Sequence, residues 1–261
     1  MALLQSECAV PSQSEGRLPS SMRSADASHG DAFWMAEAVV LARAMQGRVW
    51  PNPAVGCVIV RDGEVVGRGQ TQFGGRPHAE RVALDNAGDR ARGAALYVTL
   101  EPCCHWGKTP PCADAIIAAG ITCVYAALRD PDPRVNGGGF RRLRQAGVRV
   151  EVGLAAADAR EIMAGFFHRI ATGQPLLTIG ERPEPPLVVP NRFDAMINSV
   201  EGGTRLTTRS AAGKALDVAI DRTLRGCALL NELGKLGLTS VYLPVGDPLA
   251  EWFVASRNGM R

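Results

Sequence analysis

The sequence predicts an α/β fold over residues 31–174, a sheet sandwiched between helical layers in an α/β/α arrangement. Three observations predict it. Apolar residues recur at helical spacing in some stretches and in short strand-like runs in others, and the two kinds alternate along the chain. Gly, Pro and Asp-Gly turn signals separate the runs. The composition, 46% apolar and 21% charged, is that of a globular chain with ample length for a packed core.

Residues 1–30 are Ser-rich and polar without sustained periodicity, so a disordered leader is expected there, with His29 inert. Met35, Ala38, Val39, Ala42 and Met45 then mark the apolar face of a first helix that ends before Trp50-Pro51. The rigid loop Pro51-Asn52-Pro53 leads into a strand at 55–60, the turn Arg61-Asp62-Gly63 and a strand at 64–69, which together read as a hairpin. Gly67 and Gly69 fall in that second strand; the remaining spacing fails a dinucleotide fingerprint, and no helix opens there.

Pro77 precedes a run with helical spacing (Ala79, Val82, Ala83, Leu84, Ala87), which puts His78 and Glu80 in the first turn of a helix. A strand at 96–100 and a cysteine-bearing loop follow. The next helix is expected to be capped by Thr109, to hold Pro110 and Pro111 in its first turn and to end at Gly120. A strand at 123–128, a short helix at 141–146, a strand at 148–152 and a helix at 158–171 complete the alternation, with His168 on the surface of the last. Gly137-Gly138-Gly139 reads as a flexible turn into a helix, with a phosphate cradle as the alternative.

From residue 175 the character changes. Pro183, Pro185, Pro186 and Pro190 mark an extended linker, and helix-like (216–233, 249–255) and strand-like (240–243) stretches beyond it promise a small domain at best.

Net charge is +3, with the arginines scattered, so nothing calls for nucleic acid or a membrane surface as a partner. No run approaches the ~18 apolar residues of a membrane span, and no apolar signal core opens the chain, so a cytoplasmic protein is expected. Seven cysteines, an odd number, argue for a reducing compartment over a disulfide framework. Cys57 and Cys123 sit in strand-like runs as small core residues, and Cys8 and Cys227 carry no partner signal.

The chemistry concentrates in His78-Ala79-Glu80 and in Glu101-Pro102-Cys103-Cys104-His105-Trp106-Gly107-Lys108-Thr109-Pro110-Pro111-Cys112. One histidine and two cysteines, with a carboxylate two residues after the histidine, are the ligand set and proton shuttle of a zinc deaminase. His78, Cys103 and Cys112 supply three zinc ligands and leave a fourth tetrahedral position for water, whose pKa the metal lowers to about 7. Glu80 stays off the metal and carries the water's proton to the departing amine. Cys112, at a helix start, is favoured as thiolate by the helix dipole. The competing reading is a closed structural zinc site with His105 or Cys104 as fourth ligand; a packing role beside the site suits Cys104 better.

These motifs, with Pro51 to Val60 and Asp130-Pro131-Asp132-Pro133-Arg134-Val135, resemble the deaminase domain of the bifunctional riboflavin biosynthesis deaminase-reductase family over residues 31–174. The resemblance implies a cytidine-deaminase-like zinc domain that removes the 2-amino group of 2,5-diamino-6-(5-phosphoribosylamino)pyrimidin-4-one. It also implies substrate contacts from Asn52, His105 and Lys108, with Lys108 near the ribose phosphate. The sequence leaves the oligomeric state open, a homo-oligomer among the options. Two departures stand out. Thr71 takes the place of a histidine common in the family, whose contact Thr71 or Arg76 would have to remake. Residues 175–261 carry only fragments similar to parts of the reductase domain, Asp194 to Ala212 and Ala228 to Ala255, and Pro244-Val245 replaces its glutamate-glycine step. A truncated reductase remnant without activity is therefore expected. A deaminase of another aminopyrimidine or nucleobase and a non-catalytic interaction protein are the alternatives.

Overall fold

The computed structural model describes residues 30–107, 109–184, 188–209 and 214–258. The expected leader with His29 and Cys8, and Lys108 in the cysteine loop, lie outside the described residues.

The first unit begins with helix α1 (Asp31–Ala44), which buries Trp34, Met35, Ala38, Val39 and Ala42, the face that the spacing predicts. Strands β1 (Gly56–Arg61) and β2 (Glu64–Gln70) pair antiparallel across Asp62-Gly63. Both turn residues have positive φ, 54° and 81°, as a two-residue hairpin with right-handed strand twist requires. Helix α2 (Ala79–Ala87) lies on β2. Gly69 makes that approach possible, because a Cβ there would stand 2.1 Å from the Ala79 carbonyl oxygen. The glycines of this strand serve helix packing rather than a nucleotide.

β3 (Ala95–Val98), α3 (Cys112–Ala118), β4 (Cys123–Ala126), α4 (Gly138–Gln145) and β5 (Arg149–Val152) follow. The sheet order is β2-β1-β3-β4-β5, with β3, β4 and β5 parallel and the hairpin antiparallel at one edge. Helices α5 (Ala156–Ile162) and α6 (Ala164–Thr172) replace the single helix expected at 158–171. The break at Met163 brings Gly165 so close to Thr239 that a Cβ would lie 2.6 Å from its carbonyl oxygen, and a straight helix carrying a side chain there could not dock.

A second sheet follows, from β6 (Leu176–Gly180), β7 (Ala195–Val200), β8 (Gly203–Arg209), β9 (Ala215–Val218) and β10 (Ser240–Pro244), with helices α7 (Gly226–Lys235) and α8 (Pro248–Asn258). Its order is β6-β10-β7-β8-β9, and it has its own core of Ile197, Leu206, Leu229, Leu233, Leu238 and Val241 among others. The helix expected at 216–233 is thus half wrong. Residues 215–218 pair with β8, and Asp221 Oδ1 accepts from the Thr223 N–H in a local turn that keeps the helix from starting before Gly226. Among the described residues no helix is long and apolar enough to cross a membrane.

Candidate functional site

Two helix starts meet beneath the β3–α3 loop. His78 is the N-cap of α2, with extended backbone (φ −70°, ψ 157°), one residue ahead of the first turn that the sequence assigns it. Cys112 is the first residue of α3, and its N-cap is Pro111. Thr109 and Pro110 therefore precede the helix, contrary to the expected cap. The Thr109 hydroxyl instead accepts a hydrogen bond from Arg76.

The Cys103 and Cys112 sulfurs lie 3.7 and 3.5 Å from His78 Nδ1, and all three donor atoms fall within 4.8 Å of one another. Zinc at ordinary Zn–S and Zn–N bond lengths in tetrahedral geometry sets such atoms ~3.6 Å apart, so the donor set fits the ion. The Cys112 backbone N–H points at Cys103 Sγ (3.3 Å). Hydrogen bonds from the Cys112 thiol, and from His78, hold the Cys103 thiol down at about 4, against desolvation that pushes it up. Cys112, acting as the donor to Cys103, is shifted the other way.

Glu80 is 4% exposed, beside this cluster, and burial raises its carboxyl to about 7. Cys104 turns away from the cluster: its thiol packs against the Arg134 and Val135 carbonyls (3.7 and 4.0 Å), and a Cβ on Gly138 would meet its sulfur at 2.7 Å.

The cluster opens into a cavity of about 410 Å³, whose lining includes Asn52, Thr71, Arg76, His78, Glu80 and His105, and also Asp130, Asp132, Arg134, Phe166 and Arg169. Asn52 packs against Gly75, where a Cβ would stand 2.0 Å from its amide nitrogen. His105 Nδ1 is buried without a hydrogen-bond partner among the described residues. Thr71 is buried, and its hydroxyl is spent on backbone: it donates to the Pro53 carbonyl and accepts from the Val55 N–H, both at 3.1 Å. It thus shapes the loop that carries Asn52.

Two features escape a reading of residue types. Glu101 is 3% exposed and accepts four backbone N–H bonds, from Asp130, Gly137, Gly139 and Phe140 (2.9–3.2 Å). Gly139 packs against the Pro102 carbonyl, where a Cβ would stand 2.0 Å away. The glycine run therefore lets α4 reach the cysteine loop, and a protein carboxylate takes the N–H groups that a phosphate would need. The second feature is the acidic wall. Asp132 pairs with Arg134, which holds its carboxyl below the usual range, whereas burial raises Asp130 to about 6.

Residues 28–128 match the family described as the cytidine and deoxycytidylate deaminase zinc-binding region. The chain is 51% identical over 149 residues to riboflavin biosynthesis protein RibD of Escherichia coli, covering 57% of this chain and 41% of that protein. It is 46% identical over 145 residues to the diaminohydroxyphosphoribosylamino-pyrimidine deaminase of Buchnera aphidicola, covering 99% of that protein. The structure resembles RibD of Acinetobacter baumannii with a TM-score of 0.72 at 27% identity, covering 87% of this chain and 83% of that one. That share exceeds what residues 30–174 alone could supply, so the likeness of fold runs on into the second sheet. The chain spans under half the length of the RibD proteins that it matches by sequence. It belongs to the diaminohydroxyphosphoribosylaminopyrimidine deaminase family of riboflavin biosynthesis.

Proposed function

We propose that the chain hydrolyses 2,5-diamino-6-(5-phosphoribosylamino)pyrimidin-4-one to 5-amino-6-(5-phosphoribosylamino)uracil and ammonia, as a zinc enzyme of the cytoplasm. The observation that carries this reading is the buried Glu80 carboxylate set beside the His78, Cys103 and Cys112 donors, with Glu80, His78 and Cys103 lining the cavity. Thiolate and imidazole donors favour zinc over harder ions, and zinc held by them would supply a water activated for attack on the amidine carbon. Glu80 takes a proton from the attacking water and delivers it to the 2-amino group, which leaves as neutral ammonia. Asn52, fixed by Gly75, hydrogen-bonds the pyrimidine edge, and the unpartnered His105 Nδ1 faces a substrate polar group. Lys108 pairs with the ribose phosphate.

Ligand roles sort by substitution. Cys103→Ser and Cys112→Ser are expected to lose bound zinc and turnover together, while Cys104→Ser keeps about one zinc per chain by elemental analysis; zinc loss in Cys104→Ser would mean that the ligand set is misassigned. The substrate is tested by incubating the protein with a panel of aminopyrimidines and identifying products by mass. Turnover of the phosphoribosyl diaminopyrimidinone, with none of aminopyrimidines that lack its ribosylamino group, is the expected result.

The second unit is proposed to have lost reductase activity. Asp247 accepts from the Leu249 N–H at the start of α8, and from the Ser199 N–H and hydroxyl. A carboxylate thus occupies the helix start that a dinucleotide phosphate would use. No NADPH oxidation is expected with the uracil product, and measurable oxidation would reverse this assignment.

A further inference from the structure

The cavity carries three guanidinium groups in different states. Arg134 is neutralised by a two-oxygen pairing with Asp132. Arg169 turns its Nε to the Gly234 carbonyl of the second unit (3.2 Å). Arg76 has no carboxylate partner among the described residues. Its one polar contact there is the 2.8 Å bond from Nη1 to the Thr109 hydroxyl, and a Cβ on Gly107 would approach Nη2 at 3.3 Å. The side chain thus reaches from the loop before α2 to the loop between the two cysteines. It is half-buried and lines the cavity.

A partly desolvated cation without a counter-charge is costly to keep. Of its five N–H donors, one is engaged, and the planar fork that remains matches the oxygens of a phosphate. None of the four acids that line the cavity is within ion-pair distance of it: Glu101 is consumed by backbone N–H groups, Asp132 by Arg134, and Glu80 and Asp130 form no salt bridge with Arg76. Thr71 does not compete, because its hydroxyl is spent on backbone. The cavity volume is that of a site for a ligand larger than one ring, which leaves room for an anionic group beyond the base.

We propose that Arg76 is a positioning residue that holds the phosphate of the substrate against the inter-cysteine loop, so that one guanidinium both grips the anion and fixes the loop through Thr109. The proposal rests on the deaminase reading above. The plain alternative is that Arg76 only clips the loop.

The test uses the zinc-loaded full chain with Arg76→Ala, Arg76→Lys and Thr109→Val. Steady-state deamination is followed with the phosphorylated substrate and with its dephosphorylated ribosyl counterpart, and binding of ribose 5-phosphate is measured by calorimetry. Arg76→Ala is expected to raise KM for the phosphorylated substrate by about tenfold to a hundredfold. Its KM for the dephosphorylated substrate should rise no more than in Thr109→Val, which loses only the loop contact, so the loss is selective for the phosphorylated substrate. Arg76→Lys should recover part of the loss. Ribose 5-phosphate should bind Arg76→Ala at least about tenfold more weakly than wild type, and Thr109→Val nearly as well as wild type.

An equal rise in KM for both substrates, unaltered ribose 5-phosphate affinity in Arg76→Ala, or an equal loss in Thr109→Val would each overturn the proposal. Binding of ribose 5-phosphate that depends on Arg76, in a protein that releases no ammonia, would retire the deaminase reading and leave the anion contact standing.

Discussion

Glu80→Gln is expected to cut ammonia release by about a hundredfold to ten-thousandfold, the range for loss of a positioned acid–base group, while zinc content and folding stay unchanged. The amide keeps the shape of the side chain and so should sit in the same buried space beside Cys112. It cannot accept a proton from water or return one to the leaving amine. The backbone of α2 is held by its own ladder and by packing on β2, with Ala79 and Ala83 fully buried, so nothing else in the first turn needs the charge. Assaying ammonia and zinc on the same preparation separates the two roles. Loss of metal along with activity would assign Glu80 to the ligand set; unchanged turnover would remove it from the mechanism.

Glu101→Ala is expected to be the most destabilising single change near the site. Four N–H groups from the β4–α4 connection and the first turn of α4 end on one carboxylate. Removing it leaves buried donors unpaired, each at a cost of about 1–3 kcal/mol, with the total held below their sum as the turn relaxes. A loss of about 3–5 kcal/mol in urea unfolding of the zinc-loaded chain is the expected result. Glu101 is also two residues from Cys103, so weaker zinc retention should accompany the loss. An unfolding midpoint equal to wild type would mean that the glycine turn holds α4 on its own.

Why some of this was legible in the sequence and some was not follows from where the information lies. The α1 face, the hairpin at Asp62-Gly63 and the alternation of strands with helices depend on neighbours a few residues apart, and local spacing reports them. The order His78, Glu80, Cys103, Cys112 was legible because the chemistry demands those residue types together. The cap of α3 was misread because Thr109 and two prolines imitate a helix start; the Arg76 partner that draws Thr109 away is 33 positions distant. The break at Met163 answers to Thr239, just ahead of β10 in the second unit. Glu101 looked like part of a motif because its partners, 29 to 39 residues on, are backbone groups without a side-chain signature. The second unit was underestimated for a similar reason. Its sheet is completed by β6, which pairs in parallel with β10 some sixty positions later, and neither strand announces the other.

Deamination by this chain is tested most directly by ammonia release from the purified, zinc-quantified protein given 2,5-diamino-6-(5-phosphoribosylamino)pyrimidin-4-one. The expected result is one ammonia for each uracil product formed, with about one zinc per chain. Zinc bound at that level with no ammonia released would contradict it.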